Sequence, residues 1–305
     1  MTERALTFGR HVVEVSRPEK VLFPADGITK GDLIDYYARV AELMLPHLEG
    51  RPLAMERFPD GLKGERIFQK DVPDYFPDWV KRVTVKKERG TIDQVVCNTT
   101  STLVYLANQA CITPHAFLSR LDKPDRPDQL IFDLDPPEDA FDEARAAAGW
   151  LKEILDRLGL ISFVKTTGGK GLHVTVPLDR GSSFDEVRAF AREVADVLAD
   201  REPERITTEQ RKAKRRGRVF MDVMRNAYAQ TAVPPFAVRA RNGAPVAMPL
   251  DWSELDDPKL RPSNFTIRTA FRRLGREGDP WEGIRRQGRT LRGPRRKLEA
   301  LKAEG

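Results

Sequence analysis

The sequence predicts a mixed α/β (α+β) fold. Strand-like and helix-like stretches alternate along the chain, several strands are joined by short turns, and hydrophobic residues make up 40% of 305. The first two observations favour mixed sheets over a doubly wound parallel sheet, and the third supplies enough apolar surface for a real core.

Residues 11–16 (HVVEVS) alternate loosely and read as a short strand. Asp26-Gly27 is a turn signal, and Thr29 with Asp32 three residues on resembles a capping box. A helix follows over 30–47, with Ile34, Tyr37, Val40, Ala41 and Met44 on one face, and Gly50 ends it. Strands are expected at 53–58 and 66–70 across the Asp60-Gly61 turn, and at 82–86 and 94–97 around the charged turn at 87–90. Residues 100–109 read as a helix.

The second half is plainer. Residues 129–134 form a buried strand that Pro136-Pro137 stops, and a helix follows over about 140–158. Strands at 161–165 and 172–177 flank a Gly-rich turn, 184–198 is a helix, and 218–223 is a strand. The division expected is a main domain over 1–275 and a basic, helical extension over 276–305 packed on it.

Several classes are excluded. No run of about 18 apolar residues is present, so no transmembrane helix is expected, and the start Met1-Thr2-Glu3-Arg4 lacks the apolar stretch of a secretory signal. The two cysteines, Cys97 and Cys111, form no CxxC, which excludes a disulfide scaffold and speaks against structural zinc. A reducing, cytoplasmic compartment is expected.

The net charge of +6 is unevenly placed. From 285 to 305 eight Lys/Arg face two Glu, and from 201 to 218 eight face three, whereas from 122 to 143 nine Asp/Glu face two Lys/Arg. A basic chain with one concentrated acidic patch suits a polyanion plus a cation site, although solvated surface charge would give the same totals.

The chemistry-bearing residues begin in Ile131-Phe132-Asp133-Leu134-Asp135-Pro136. On a strand, Asp133 and Asp135 point to one face, about 7 Å apart. Paired carboxylates there repel unless a cation lies between them, and hard divalent cations take such ligands. Alternatively, Asp135 merely ends the strand. Asp222, in the apolar stretch Val219-Phe220-Met221-Asp222-Val223, reads as a charge inside a strand that must be paired or metal-bound. It could complete a three-carboxylate site or pair with Arg225 or the preceding basic run. Thr166 to His173 (TTGGKGLH) lies between two strands, where Gly lets the backbone approach an anion and Thr167, Lys170 and His173 supply donors. It is neither a Walker A loop nor a dinucleotide fingerprint, and a plain hairpin turn reads equally well. Lys20, Lys30 and Lys70 each stand near a strand or helix start.

In order, the blocks EKVLFP (Glu19 to Pro24), ITKGD, GRPLAMERFPDG, FQKD, LIFDLDPP, TTGGKGLHVTVPL and FMDVMRN resemble the polymerase domain of bacterial ATP-dependent DNA ligase D, an archaeo-eukaryotic primase-type polymerase, over residues 19–271. The resemblance implies a primase-type fold of two packed β-sheets with flanking helices. It implies that Asp133, Asp135 and Asp222 are catalytic and hold two Mn²⁺ or Mg²⁺ ions, and that NTPs and dNTPs are the substrates. His115, Thr167, Lys170, His173, Arg225 and Arg239 match nucleotide-binding positions; the family usually has Ser at the Thr167 position, and Thr keeps the hydroxyl. Lys20 and Lys30 match the pocket for a downstream 5′-phosphate, where a helix N-terminus at Lys30 would add donors. Phe68 matches a template-stacking position, with Ile67 where the family often has a second Phe. The loop 86–91, with Lys86 and Lys87, matches one that brings DNA ends together, and Lys70 is expected to contact DNA as well.

The expectation is a nucleotidyltransferase that fills gaps and extends ends at double-strand breaks, in non-homologous end joining, preferring ribonucleotides and guided by a 5′-phosphate. The expected partners are gapped or broken DNA, nucleotides, Ku and a DNA ligase, with no membrane, in the bacterial cytoplasm at the nucleoid. The chain would be a stand-alone or excised polymerase domain. Excision-repair gap filling and a non-catalytic DNA-end-binding module are the alternatives. An Asp-nucleophile phosphatase is disfavoured because Pro137 stands where that chemistry wants Thr.

Overall fold

The computed structural model describes residues 4–87 and 89–303. In chain order the strands are β1 (Arg4–Phe8), β2 (His11–Val15), β3 (Val21–Phe23), β4 (Ile28–Thr29), β5 (Pro52–Arg57), β6 (Ile67–Gln69), β7 (Arg82–Lys86), β8 (Thr91–Val96), β9 (Cys111–Phe117), β10 (Ser119–Arg120), β11 (Lys123–Pro127), β12 (Gln129–Asp135), β13 (Phe163–Thr166), β14 (Leu172–Pro177), β15 (Ile206–Thr207), β16 (Val219–Asp222), β17 (Thr231–Ala232) and β18 (Pro249–Leu250). The helices are α1 (Lys30–Leu48), α2 (Thr100–Asn108), α3 (Phe141–Leu158), α4 (Phe184–Arg201), α5 (Ala270–Glu277) and α6 (Arg292–Ala303). The mixed α/β class expected from the sequence is the class observed.

The chain forms two compact units. The first comprises Met1–Phe117, Thr231–Met248 and Ser263–Arg276. Its sheet has the order β17-β9-β5-β8-β7, with β6 paired to β5. Helix α1 begins where Thr29 and Asp32 form the capping box that the sequence signalled. Its buried face, Leu33, Ile34, Tyr37, Val40, Ala41 and Met44, packs with α2, and α2 packs on β9. Tyr36 donates to the Phe236 carbonyl (2.8 Å), Tyr37 donates to that of Ile112 (2.6 Å), and the Val238 N–H donates back to Tyr37 (3.0 Å). These bonds fix the backbone that carries Arg239.

Strand β9 has no counterpart in the sequence reading, and it carries Pro114, which a ladder admits only where the missing N–H is not needed. On one side of β9 the short β17 reaches only Ala116 and Phe117, so Pro114 lies beyond it. The strand expected over 11–16 is β2, and β1, which pairs with it across a turn holding Gly9 at φ +58, has no counterpart in the sequence reading.

The second unit comprises Leu118–Gln230, Pro249–Pro262 and Glu277–Gly305. Its sheet has the order β15-β16-β12-β14-β13-β18, antiparallel except for β15 with β16. Leu130, Phe132 and Leu134 on β12, and Leu172, Val174 and Val176 on β14, are buried and share one face by the strand period. Helices α3 and α4 pack on these strands, and α6 packs on both helices. The opposite face of the sheet carries the polar residues. Among the described residues, no helix is long and apolar enough to cross a membrane.

Candidate active site

A row of polar side chains crosses four strands of the second unit. Lys165 on β13 stands opposite His173 on β14, His173 opposite Asp133 on β12, and Asp133 opposite Asp222 on β16. Directly opposed residues share a face. Asp135, two residues beyond Asp133, returns to that face opposite Phe220. Asp222 is the last residue of β16, which corrects its reading as a mid-strand charge.

Cations surround these carboxylates. Arg225 Nε lies 3.7 Å from Asp133. Lys170 Nζ lies 3.1 Å from one oxygen of Asp135, and Arg215 approaches the other at 3.2 Å while stacking over Phe220. Arg225 therefore faces Asp133 rather than Asp222. The Asp222 carboxylate instead accepts the Met224 N–H (2.7 Å).

The environments push the groups apart. Burial would raise Asp133, but the neighbouring His173, Arg225 and Lys165 outweigh it and hold the carboxyl at about 2. Asp222 is pushed above the usual carboxylate range, by burial first and by the charge of Asp133. Burial, with Lys165, lowers His173 to about 4 against the pull of Asp133. His173 is thus neutral near pH 7, and its contact with Asp133 (3.5 Å) is not an ion pair at that pH. Its Nδ1 is buried with no hydrogen-bond partner, and its Nε2 is the nitrogen that faces Asp133.

The donor set fits hard divalent cations: three carboxylates share one sheet face, and two are in direct register. Among the described residues no group of three His, Cys, Asp or Glu is already gathered to hold a metal. To join such a donor set, Asp135 would exchange Lys170 and Arg215 for the cation.

The Gly-rich turn is shaped from within. The Thr167 hydroxyl accepts from the Gly169 N–H (3.2 Å) and the Gly171 N–H (3.3 Å) and contacts the Gly171 carbonyl. Lys170 also donates to the Pro136 carbonyl at 2.9 Å. A Cβ on Gly171 would lie 2.0 Å from the Leu134 carbonyl oxygen, so only glycine lets the turn press against the strand between the two aspartates. The fully buried Asn226 accepts from the Ile131 N–H (2.9 Å) and donates to its carbonyl (2.8 Å), which pins β12 two residues before Asp133.

The first unit holds a polar cluster of its own. His115 Nε2 lies 3.1 Å from Glu56, and Arg66 Nε donates to the other Glu56 oxygen at 2.6 Å. Phe68 stands opposite Glu56 in register and meets the His115 ring edge-on at 5.2 Å. Burial would raise Glu56, but His115 bonding and charge, then Arg66 and Arg239, hold it at about 2. The sequence reading missed Glu56 and Arg66. The signal was a carboxylate inside an otherwise buried strand, which demands a partner.

One expected result arises here. A carboxyl lowered on folding contributes stability above its ordinary value of 4.5, and that contribution is lost as pH falls towards about 2. Glu56→Gln is therefore expected to lose about 1–3 kcal/mol at pH 7 and to converge on the parent protein near the acid limit, as read by thermal melts across pH.

Lys20 and Lys30 meet at the start of α1. Lys30 is buried, and its ammonium donates to Ser16 Oγ (3.0 Å) and the Asn108 carbonyl (3.3 Å). Burial, then repulsion by Arg17 and Lys20, lowers it to about 8. Lys20 pairs with Asp60 at 2.7 Å. The expectation of free helix donors here needs correction. The Lys30 N–H is taken by the Lys20 carbonyl, that of Gly31 by Pro18, and that of Asp32 by Thr29. Lys70, Lys86 and Lys87 are exposed; of the loop 86–91, Glu88 lies outside the described residues.

Comparison with known proteins agrees with this architecture. Residues 29–281 match the family model of the LigD primase-polymerase domain. The multifunctional non-homologous end joining DNA repair protein LigD of Mycobacterium tuberculosis is 35% identical over 281 residues, covering 89% of this chain and 37% of its own length. The bifunctional non-homologous end joining protein LigD of Bacillus subtilis is 34% identical over 265 residues, covering 86% and 42%. The chain thus spans well under half the length of these relatives. The solved polymerase domain of M. tuberculosis ligase D, in complex with DNA, superposes with a TM-score of 0.86 at 34% identity, covering 90% of this chain and 99% of that one. This chain belongs to the LigD primase-polymerase domain family, nucleotidyltransferases of the primase-polymerase type.

Proposed function

We propose that this chain extends primers across gaps and at broken DNA ends, as the polymerase of a non-homologous end-joining system. The observation that carries the reading is the sheet face on which Asp133 and Asp222 stand in register with Asp135 beside them, amid Lys165, Lys170, Arg215 and Arg225. Asp133, Asp135 and Asp222 would hold two Mn²⁺ or Mg²⁺ ions. Such ions, when bound, supply charge neutralisation at the phosphates and a lower pKa for the primer 3′-hydroxyl.

The chain's own residues do the rest. Lys170 and Arg225 stand ready to leave a carboxylate for the triphosphate of an NTP or dNTP, and His173, whose Nε2 faces Asp133, adds a donor beside them. Thr167 holds the turn that presents Lys170. In the first unit, Glu56 orients His115, and Arg239 adds positive charge for phosphate. Phe68, 40% exposed, is the stacking surface for a template base, and Lys30 with Lys20 takes the downstream 5′-phosphate. Lys70, Lys86 and Lys87 contact the DNA backbone. Ribonucleotide preference, Ku and a ligase as partners, and a place in the bacterial cytoplasm at the nucleoid complete the reading.

The test is one extension assay on gapped DNA with and without a 5′-phosphate, NTP against dNTP, and Mn²⁺ against Mg²⁺. Metal-dependent addition, faster with NTP and with the 5′-phosphate, is expected. DNA binding with no addition under any metal would overturn the reading in favour of a non-catalytic end-binding module.

A further inference from the structure

The segment after residue 281 lies beyond the family match, yet it is firmly built into the second unit. Trp281 is buried, and its indole N–H donates to the Val164 carbonyl at 3.0 Å. The Arg289 backbone runs beside Leu178: its N–H donates to the Pro177 carbonyl and its carbonyl accepts from Asp179, both at 3.1 Å. Gly288 packs so closely that a Cβ there would lie 2.7 Å from the Leu178 carbonyl oxygen. Leu291, Pro294, Leu298 and Leu301 are buried.

On this frame the cations divide into two sets. Arg295 and Lys302 are used internally, donating to the Glu186 carbonyl and to the Glu193 carboxylate of α4. Lys297 lies over Gly159 at the C-terminus of α3, a favourable place for a cation. Arg286, Arg289, Arg292 and Arg296 are exposed and pair with no carboxylate among the described residues. Arg292 and Arg296 lie one turn apart on the crest of α6 opposite its buried side, roughly 6 Å along the axis.

We infer that Arg286, Arg289, Arg292 and Arg296 form a docking face for the phosphate backbone of duplex DNA, separate from the carboxylate site. Three features favour this occupant. Positive charge on the fixed frame exceeds the exposed carboxylates of Glu282 and Glu299 beside it, and the repulsion among unpaired arginines is relieved by a polyanion. All four side chains are arginines, whose planar fork binds phosphate oxygens bidentately, where lysine would serve as well for solubility. The roughly 6 Å step on α6 is close to two steps of a backbone that carries a charge every 3.4 Å or so along each strand. The inference rests on the reading that the chain acts on DNA, and it adds a contact to the double-stranded flank.

The experiment measures equilibrium binding of the full chain to a 5′-phosphorylated overhang with a long duplex flank, across a salt series. Replacing all four arginines by alanine is expected to make the slope of log K against log salt shallower by about 3–4 and to weaken binding at moderate salt by about tenfold or more. The corresponding four-lysine variant is expected to keep the slope. Single-nucleotide addition at saturating DNA should stay unchanged in both. An alanine variant that melts like the parent and keeps the full slope overturns the docking face, whatever else that face binds. A parent chain that neither binds nor extends DNA would instead overturn the proposed function.

Discussion

Asp133→Asn is expected to lower primer extension by about a thousandfold or more while leaving DNA affinity within a few-fold of the parent. Asp133 is the centre of the polar row, opposite both His173 and Asp222, and its charge is the one the site works hardest to keep. Half-buried as it is, it would ordinarily be raised, yet His173, Arg225 and Lys165 hold it at about 2. The amide keeps the shape and an acceptor oxygen but removes the anion. A divalent cation then loses a ligand, and several kcal/mol of transition-state stabilisation go with it, which is a factor of about a thousand in rate. The loss should fall on kcat, because the carboxylate acts when charge develops at the transferring phosphate. His173 gives a second readout. Asp133 is among the influences that raise its pKa, so the imidazole should titrate lower still in the variant, as NMR of the ring would record. Extension within tenfold of the parent would remove Asp133 from the catalytic set. Loss of DNA binding in parallel would mark it as a fold residue instead.

Much of this site was legible in sequence because the strand period is rigid. Alternation alone placed Asp133 and Asp135 on one face, and the apolar Phe132 and Leu134 on the other. Capping chemistry placed the start of α1 at Lys30, with Thr29 and Asp32 reciprocally bonded. What periodicity does not contain is register. That Asp222 faces Asp133, and that both lie in line with His173 and Lys165, depends on which strands pair and at what offset. For the same reason the partners of the carboxylates were misassigned: Arg225 went to Asp133, and Asp135 is held by Arg215 from the basic run. Strand β9 holds a proline, and that its neighbour β17 stops short of Pro114 is a tertiary fact no local pattern contains.

Lys30→Ala is expected to weaken binding to gapped DNA carrying a downstream 5′-phosphate by about 10–100-fold and to change binding to the unphosphorylated gap by less than about twofold. A charge-assisted hydrogen bond to phosphate is worth about 1.5–3 kcal/mol, and it exists only when the phosphate does. The structure sharpens why Lys30 should dominate over Lys20. Lys20 already has a carboxylate partner in Asp60, whereas Lys30 is buried against a hydroxyl and a carbonyl, neither of which neutralises it. Arg17 and Lys20 crowd it with positive charge, and the backbone donors at the start of α1 are already used, so the ammonium rather than the helix end must do the recognition. The same crowding gives a pH signature. In the free protein Lys30 is lowered to about 8, so it is charged at pH 7 and progressively neutral above pH 8. Preference for the phosphorylated gap should therefore fade between about pH 7 and 9 in the parent and be flat in Lys30→Ala. Equal losses on both substrates, or a preference that survives in the variant, would move the phosphate elsewhere. Asp60→Ala separates the two lysines further: freeing Lys20 from its carboxylate should strengthen 5′-phosphate binding when Lys30 is intact, and restore part of it when Lys30 is gone.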